Sequence, residues 1–146
     1  MIIPETADLI TWKIGDQGFE MYLSGEVPKR ISQSLRQEMG REEPDGLLRG
    51  EGTQAIDLWA VHAGGKSILD AVENGLLLAA DALDHSRAVL RDYGNMSSAT
   101  IMFVLERMLR KAQAQGQSWA ANQARGMAMA FGPGMVAETA RFTLVA

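Results

Sequence analysis

The sequence of 146 residues contains no cysteine and only two histidines, His62 and His85. The absence of cysteine excludes disulfides, thiolate metal sites and a cysteine nucleophile among these residues. Two histidines are also too few for a histidine-rich metal centre. Any thiol chemistry at a site built from this sequence therefore needs a sulfur from outside it.

Long hydrophobic runs and a basic, apolar N-terminal leader are also missing from the sequence. No apolar run reaches the roughly 18 residues that a membrane helix requires, and the start at Met1 does not resemble a signal peptide. The net charge of -4, from 14 basic and 18 acidic residues, argues against electrostatic binding of nucleic acid. We therefore expect a cytoplasmic protein that binds neither a membrane nor nucleic acid.

The hydrophobic pattern predicts one α/β domain, with a mixed sheet of about four to five strands and helices packed on it. Apolar residues alternate in the predicted strands and recur every three to four positions in the predicted helices. The predicted strands are 9–14, 19–23, 56–61, 125–131 and 135–145. The predicted helices are 27–39, 66–78, 84–93 and 99–113. We expect the helix over 99–113 to be the buried one and Met102, Met108, Met127 and Met129 to lie in the core.

Two turns carry side chains suited to chemistry. His62 follows a predicted central strand and precedes Gly64 and Gly65, at the end of a strand where α/β proteins often bind ligands. Asn95 follows Gly94, which is expected to end one helix, and a carboxamide held rigidly there could stabilise an oxyanion. Alternatively, His62 is a buried core histidine, and Asn95 is part of an ordinary Gly-Asn turn.

Other polar residues favour simpler interpretations. Ser97 and Ser98 are predicted N-caps of the helix after Asn95. His85 is expected at the surface. Asp70 and Glu73 lie three positions apart on one helix, and a solvated helical face explains them better than an acid–base pair.

With a third turn, Phe131-Gly132-Pro133-Gly134, the two turns resemble the C-terminal half of type III polyketide synthases in residue type and order. These enzymes form the chalcone and stilbene synthase family and have a thiolase-like fold. The similarity covers nearly the whole chain from about Trp12. The segments that carry it are 59–62 with 67–73, 86–90 with 93–105, and 130–134 with 138–139.

The resemblance implies a Cys-His-Asn site that extends acyl chains with malonyl units from coenzyme A thioesters, without a further cofactor. His62 would keep the cysteine as a thiolate and, with Asn95, would hydrogen-bond the thioester oxygen of malonyl-CoA as carbon dioxide leaves. Two fixed donors stabilise the negative charge that then develops on this oxygen. An imidazole beside a thiol also lowers the pKa of the thiol.

The same resemblance implies where the substrate would lie. Gly64 and Gly65 would line the tunnel for the pantetheine arm of coenzyme A, and Ser98 and Pro133 would shape the cavity. Met21 stands where plant members carry a gatekeeping phenylalanine, and the replacement is expected to widen the cavity.

Two departures from the family pattern affect the expected activity. Ala63 replaces the proline that usually follows the histidine. The cysteine-bearing N-terminal domain is expected to be absent, so that residues 1–146 form only a chalcone/stilbene synthase C-terminal domain, inactive alone. The chain would then be an expressed domain, a piece of a split enzyme or the product of a truncated gene, and in the first two cases it would pair with the missing half.

Two further interpretations remain open. The chain could be a non-catalytic homologue that self-associates through uncovered surface, and a homodimer or other homo-oligomer is expected in either case. It could also be related to 3-oxoacyl-carrier-protein synthase III, which shares the histidine and asparagine chemistry. The forms of the Asn95 and Pro133 turns favour the polyketide branch.

Overall fold

The structure, a computed structural model, describes residues 3, 6, 8–41, 46–114 and 123–144. The strands are β1 (Ile10–Gly15), β2 (Gly18–Leu23), β3 (Leu58–Val61), β4 (Arg125–Gly132) and β5 (Val136–Thr143). The helices are α1 (Val27–Met39), α2 (Lys66–Leu76), α3 (Asp84–Tyr93) and α4 (Thr100–Ala114). Three short 3-10 turns cover Thr53–Ala55, Ser97–Ala99 and Pro133–Met135.

The five strands form two sheets, and the predicted mixed α/β fold is confirmed. β1 and β2 form an antiparallel hairpin. β3 pairs with β4 in parallel, with Val61 opposite Met129, and β4 pairs with β5 in an antiparallel register. The prediction that the strand before His62 is central was wrong, because β4 holds the middle position of the described three-stranded sheet.

Successive side chains of β3 point to opposite faces of this sheet, and helices cover both faces. Trp59 and Val61 join the larger core, to which α1 and α2 contribute. Ala60, between them, packs in a second cluster with Val89 of α3 and Val104 of α4. The result is a three-layer arrangement in which all four residues of β3 are buried.

The outer helix α4 is less buried than the sequence predicted. Its buried residues are Thr100, Val104 and Met108, which lie along one stripe. Met102 is 63% exposed, so its prediction as a core residue was wrong. The helix therefore covers the sheet with one face only. The other three methionines predicted in the core, Met108, Met127 and Met129, are buried. Within the described ranges, no helix has the length and apolar character needed to cross a membrane.

A charged cluster ties the segment before β3 to strands β4 and β5. Glu51 Oε2 lies 2.6 Å from a guanidinium nitrogen of Arg125 and 2.6 Å from one of Arg141. Arg141 also donates to the carbonyl of Leu48 at 2.8 Å. Hydrogen bonds from Arg125 and then Arg141 lower the pKa of Glu51 to about 2. The carboxylate is therefore ionised across nearly the whole range in which proteins fold.

Gly94 ends α3 in a conformation that other residues rarely adopt. Its φ of 74° and ψ of -163° fall in a region that is essentially restricted to glycine. This backbone turns the chain sharply between α3 and Asn95, as the sequence predicted for a helix-ending glycine. A side chain at this position would strain the turn even though the space around it is open.

We predict that Gly94→Ala lowers the free energy of unfolding by about 1–3 kcal/mol, because alanine is strained in this backbone conformation. Gly25→Ala is the matched control, since Gly25 has no positive φ and open space around it. The control should change stability by less than about 1 kcal/mol. Urea denaturation of the full chain measures both values, and equal effects of the two substitutions would contradict the prediction.

We also predict that Glu51→Gln removes part of the pH dependence of stability. Because the folded pKa of Glu51 is lowered from 4.5 to about 2, its contribution is complete above pH 4.5 and is lost as the pH falls to about 2. The wild-type chain should therefore be more stable than the variant near neutral pH, and the difference should disappear in acid. If the free energies of unfolding of the wild type and the variant differed by the same amount at every pH from 7 to 2, this role would be excluded.

Candidate functional site

The candidate site lies at one edge of the three-stranded sheet. β3 and β4 run in parallel, so the residues that follow their carboxyl ends, His62 and Pro133, extend from the same edge. The N–H of His62 donates to the carbonyl oxygen of Met129 at 2.8 Å and continues the strand pairing by one step. The imidazole is therefore carried by backbone that the sheet itself holds.

A tight turn brings Gly64 back against His62. The Gly64 N–H donates to the carbonyl oxygen of His62 at 2.9 Å. A methyl group on Gly64 would lie 3.5 Å from Cδ2 and 3.6 Å from Nε2 of His62. The imidazole is half-buried, and the loss of solvent lowers its pKa from the usual 6.5. It is therefore neutral at pH 7, with one nitrogen protonated as a donor.

The carboxamide of Asn95 is held at both ends. Its Nδ2 donates to the carbonyl oxygen of Gly64 at 3.1 Å, and its Oδ1 accepts the N–H of Ser97 at 2.9 Å. Gly64 thus has the imidazole of His62 on one side and the amide of Asn95 at its carbonyl. A carboxamide nitrogen carries two hydrogens, and the bond to Gly64 uses one of them. The exposed position of Asn95 leaves the second hydrogen accessible to a ligand.

The predicted capping by Ser97 and Ser98 was wrong. The side-chain acceptors at the start of this turn are Asn95 Oδ1, which takes the N–H of Ser97, and Thr100 Oγ1, which takes the N–H of Met96 at 2.8 Å. A 3-10 turn over Ser97–Ala99 separates Asn95 from α4, so neither serine stands at the position before the helix. Ser98 is exposed in this turn, three residues beyond Asn95.

Two of the other three candidate residues, Gly65 and Pro133, adjoin the same edge. Gly65 immediately precedes α2 in an extended conformation, and a methyl group on it would meet nothing within 4 Å. Pro133 is exposed in the 3-10 turn that follows β4. Met21 lies on β2 opposite Trp12 and is 53% exposed. Strand β1 of this hairpin packs against the turn that contains Pro133.

Sequence reasoning missed a role for Ser86. Its side chain is fully buried, and its Oγ accepts the N–H of Val61 at 3.1 Å, on the residue before His62. Helix α3 thereby covers the edge of β3 that faces away from β4. The available signal was a serine on the same helical face as Val89, where an apolar residue would be expected.

Asp70 and Glu73 were predicted to form a solvated helical face, but the structure pairs both with Arg87. The guanidinium of Arg87 lies 2.8 Å from each carboxylate and joins α3 to α2. The hydrogen bond from Arg87 is also the main cause that lowers the pKa of Asp70. The two carboxylates therefore fix α3 against α2, and they do not form an acid–base pair.

His85 was predicted at the surface, but it is only 7% exposed. It lies on the inward face of α3 and lines a cleft of about 440 Å³ together with Leu58 and Trp59. Burial, with the positive charges of Lys111 and Arg107, lowers the pKa of His85. The cleft lies at the opposite end of β3 from His62. In the part of the chain that the structure describes, no three histidine or carboxylate side chains are grouped to hold a metal ion.

Comparisons with known proteins identify relatives of the chain. Residues 1–145 match the family model for the C-terminal domain of chalcone and stilbene synthases. The chain is 32% identical over 143 residues to type III polyketide synthase C of Arabidopsis thaliana, and this alignment covers 93% of the chain and 34% of that protein. Type III polyketide synthase B of the same plant is 35% identical over 140 residues, with 93% and 34% covered.

The fold has a counterpart among solved structures. The crystal structure of PKS-I from the brown alga Ectocarpus siliculosus superimposes with a TM-score of 0.81 and 34% sequence identity, over 97% of this chain and 36% of that chain. The chain spans about a third of the length of the curated relatives it matches. On the family match over nearly its whole length, and on these relatives, the chain belongs to the chalcone and stilbene synthase family.

Proposed function

We propose that this chain supplies the histidine and asparagine of a type III polyketide synthase active site. The reaction is a decarboxylative condensation of malonyl-CoA with an acyl group held as a thioester on a cysteine. The observation that carries the proposal is the position of His62 and Asn95 around one glycine, Gly64. Membership of the family supports the same assignment.

The proposed chemistry depends on two hydrogen-bond donors. When malonyl-CoA loses carbon dioxide, the electron pair of the broken carbon–carbon bond moves into the thioester, and its oxygen gains negative charge. A protonated Nε2 of His62 and the second Nδ2 hydrogen of Asn95 would donate to this oxygen. The enolate carbon then attacks the acyl thioester, and the cysteine leaves as a thiolate. One donor of this kind is worth about a factor of 10²–10³ in rate.

The thiolate has to come from outside these 146 residues, since they contain no cysteine. We propose that the remaining part of the enzyme, on the same or a separate polypeptide, supplies it and that this chain alone is inactive. A thiolate beside His62 would favour the imidazolium and raise the histidine pKa. The neutral imidazole of the chain alone is thus the state expected before the thiolate is added.

The substrates would reach the pair along the open side of the turn. Gly65 leaves room for the pantetheine arm of acyl-CoA and malonyl-CoA, because nothing occupies the space a side chain would fill. Ser98, Pro133 and Met21 are the proposed cavity-shaping residues. We further propose that the enzyme acts in the cytoplasm as a homo-oligomer without an additional cofactor.

A non-catalytic, self-associating protein is the second candidate, and the hairpin favours it. Ile14 is 86% exposed, Tyr22 is 60% exposed and Trp12 is 49% exposed. Large apolar side chains grouped on one hairpin are typical of a surface that another protein covers. Light scattering tests self-association, because a chain that stays monomeric at high concentration would exclude it. Decarboxylation of malonyl-CoA by the restored enzyme would exclude a non-catalytic protein.

We predict that adding the cysteine-bearing part of a related type III polyketide synthase to the full chain restores decarboxylation of malonyl-CoA. His62→Ala and Asn95→Ala should each lower kcat of the restored enzyme by about 10²–10³, because each removes one donor to the enolate oxygen. Product formation from acyl-CoA and malonyl-CoA measures the rate.

Asn74→Ala is the control for this experiment, since it removes a carboxamide from an exposed position on α2. The control should leave the rate within about twofold of wild type, as expected for a surface substitution. A restored enzyme that tolerates both His62→Ala and Asn95→Ala would contradict the assigned roles.

We also predict that His62 titrates below pH 6.5 in the full chain alone, because desolvation disfavours its charged form. NMR spectra recorded as a function of pH measure the midpoint, and a His62→Gln variant assigns the signal. The folded state should lose stability as the pH falls through 6.5 towards this midpoint, because the unfolded chain binds the proton more readily. A midpoint at or above 6.5 would contradict the prediction.

A further inference from the structure

Ser86 is a buried polar residue that the proposed reaction does not use. It has no exposed surface and lies on the inner face of α3 beside Val89. A buried hydroxyl is costly unless it is hydrogen-bonded. Here the Oγ accepts a hydrogen bond from the N–H of Val61, a residue 25 positions earlier in the chain.

This hydrogen bond holds the backbone that carries the candidate imidazole. Successive N–H groups of a strand point to opposite edges. The N–H of His62 points to β4 and donates to Met129 at 2.8 Å, whereas the N–H of Val61 points to α3 and donates to Ser86 at 3.1 Å. The two peptide units that flank Val61 are therefore held from opposite edges of β3, one by Ser86 and the other by Met129.

The turn that follows α3 contacts the same segment a second time. The chain passes from Tyr93 through Gly94 to Asn95, whose amide donates to Gly64 at 3.1 Å. Ser86 and Asn95 thus bind the start and the end of the segment 61–64. Because both belong to one short stretch of chain, a shift of α3 along β3 would displace both contacts together.

The other side of α3 is also anchored. Arg87, next to Ser86, lies 2.8 Å from Asp70 and 2.8 Å from Glu73 on α2. Helix α2 begins directly after Gly65, so it continues from the same turn. The helix is consequently fixed to the strand by Ser86 and to the following helix by Arg87.

We propose that Ser86 is a positioning residue of the site, whose hydroxyl sets α3 against β3 and thereby places Asn95 relative to His62. The assignment of these two residues as donors rests on the proposed function. The positioning itself is a property of this chain and is measurable without the reaction.

NMR spectroscopy of the full chain tests the proposal with three variants. Ser86→Ala removes the acceptor, and Ser86→Thr retains it. Val89→Ala is the matched control, because Val89 is 1% exposed on the same face of α3 and its side chain offers no acceptor to β3. Urea denaturation establishes how far each variant is destabilised overall.

We expect Ser86→Ala to speed hydrogen exchange of the Val61 amide and of the Asn95 carboxamide by about tenfold, as for the loss of one hydrogen bond. The pH midpoint of the His62 titration should rise towards 6.5, because water that enters a looser strand end would stabilise the charged imidazole. Ser86→Thr should keep both exchange rates and the His62 titration midpoint at their wild-type values. Val89→Ala should leave the Asn95 exchange rate and the His62 titration midpoint unchanged.

Two results would overturn the proposal. Ser86→Ala could affect Val61 alone, which would make the serine a local strand cap. Alternatively, Val89→Ala could shift the His62 and Asn95 signals as much as Ser86→Ala does, which would make the effect one of general stability. Neither result depends on condensation activity, so an inactive restored enzyme would count against the proposed function and leave the positioning intact.

Discussion

The turn from Val61 to Gly64 depends on hydrogen bonds that satisfy its backbone from three directions. β4 accepts the N–H of His62, α3 accepts the N–H of Val61, and Asn95 donates to the carbonyl of Gly64. Backbone groups at the end of a strand lose their ladder partners and are costly if they are left unpaired. The bonds that complete this strand end also bring the imidazole and the carboxamide to one glycine.

The placement of α3 connects this turn to the rest of the fold. Arg87 is held by two partly buried carboxylates of α2, and its own side chain is 28% exposed. One guanidinium paired with two carboxylates orients a helix more firmly than a single exposed ion pair does. On its inner face, α3 contributes Val89 to the cluster around Ala60. Packing and ion pairing therefore hold α3 from different sides, while the hydrogen bond between Val61 and Ser86 connects the helix to the strand that carries His62.

The features that the sequence predicted correctly are local ones. Apolar alternation and helical spacing predicted the strands and α-helices that the structure describes, because each pattern depends on neighbouring residues. Burial failed where it depends on which helix face meets the sheet: His85 is buried and Met102 is exposed. The turns with His62 and Asn95 were recognisable from their glycines. The hydrogen bond from Val61 to Ser86 was not, because its partners are 25 positions apart and share no motif.

The protonation state of His62 is consistent with our proposal that the hydrogen-bond donors and the cysteine belong to two different parts of the enzyme. In that proposal His62 and Asn95 of this chain are the two donors, and the cysteine nucleophile comes from outside these 146 residues, which contain no cysteine. A half-buried imidazole with a lowered pKa is neutral at pH 7 and can accept a proton. In our proposal a cysteine thiol that arrives over Gly65, where the structure leaves open space, would transfer its proton to this imidazole and leave a thiolate beside an imidazolium. On this proposal the activated thiolate forms only when the two parts of the active site meet, and we therefore expect neither part to carry out the chemistry alone.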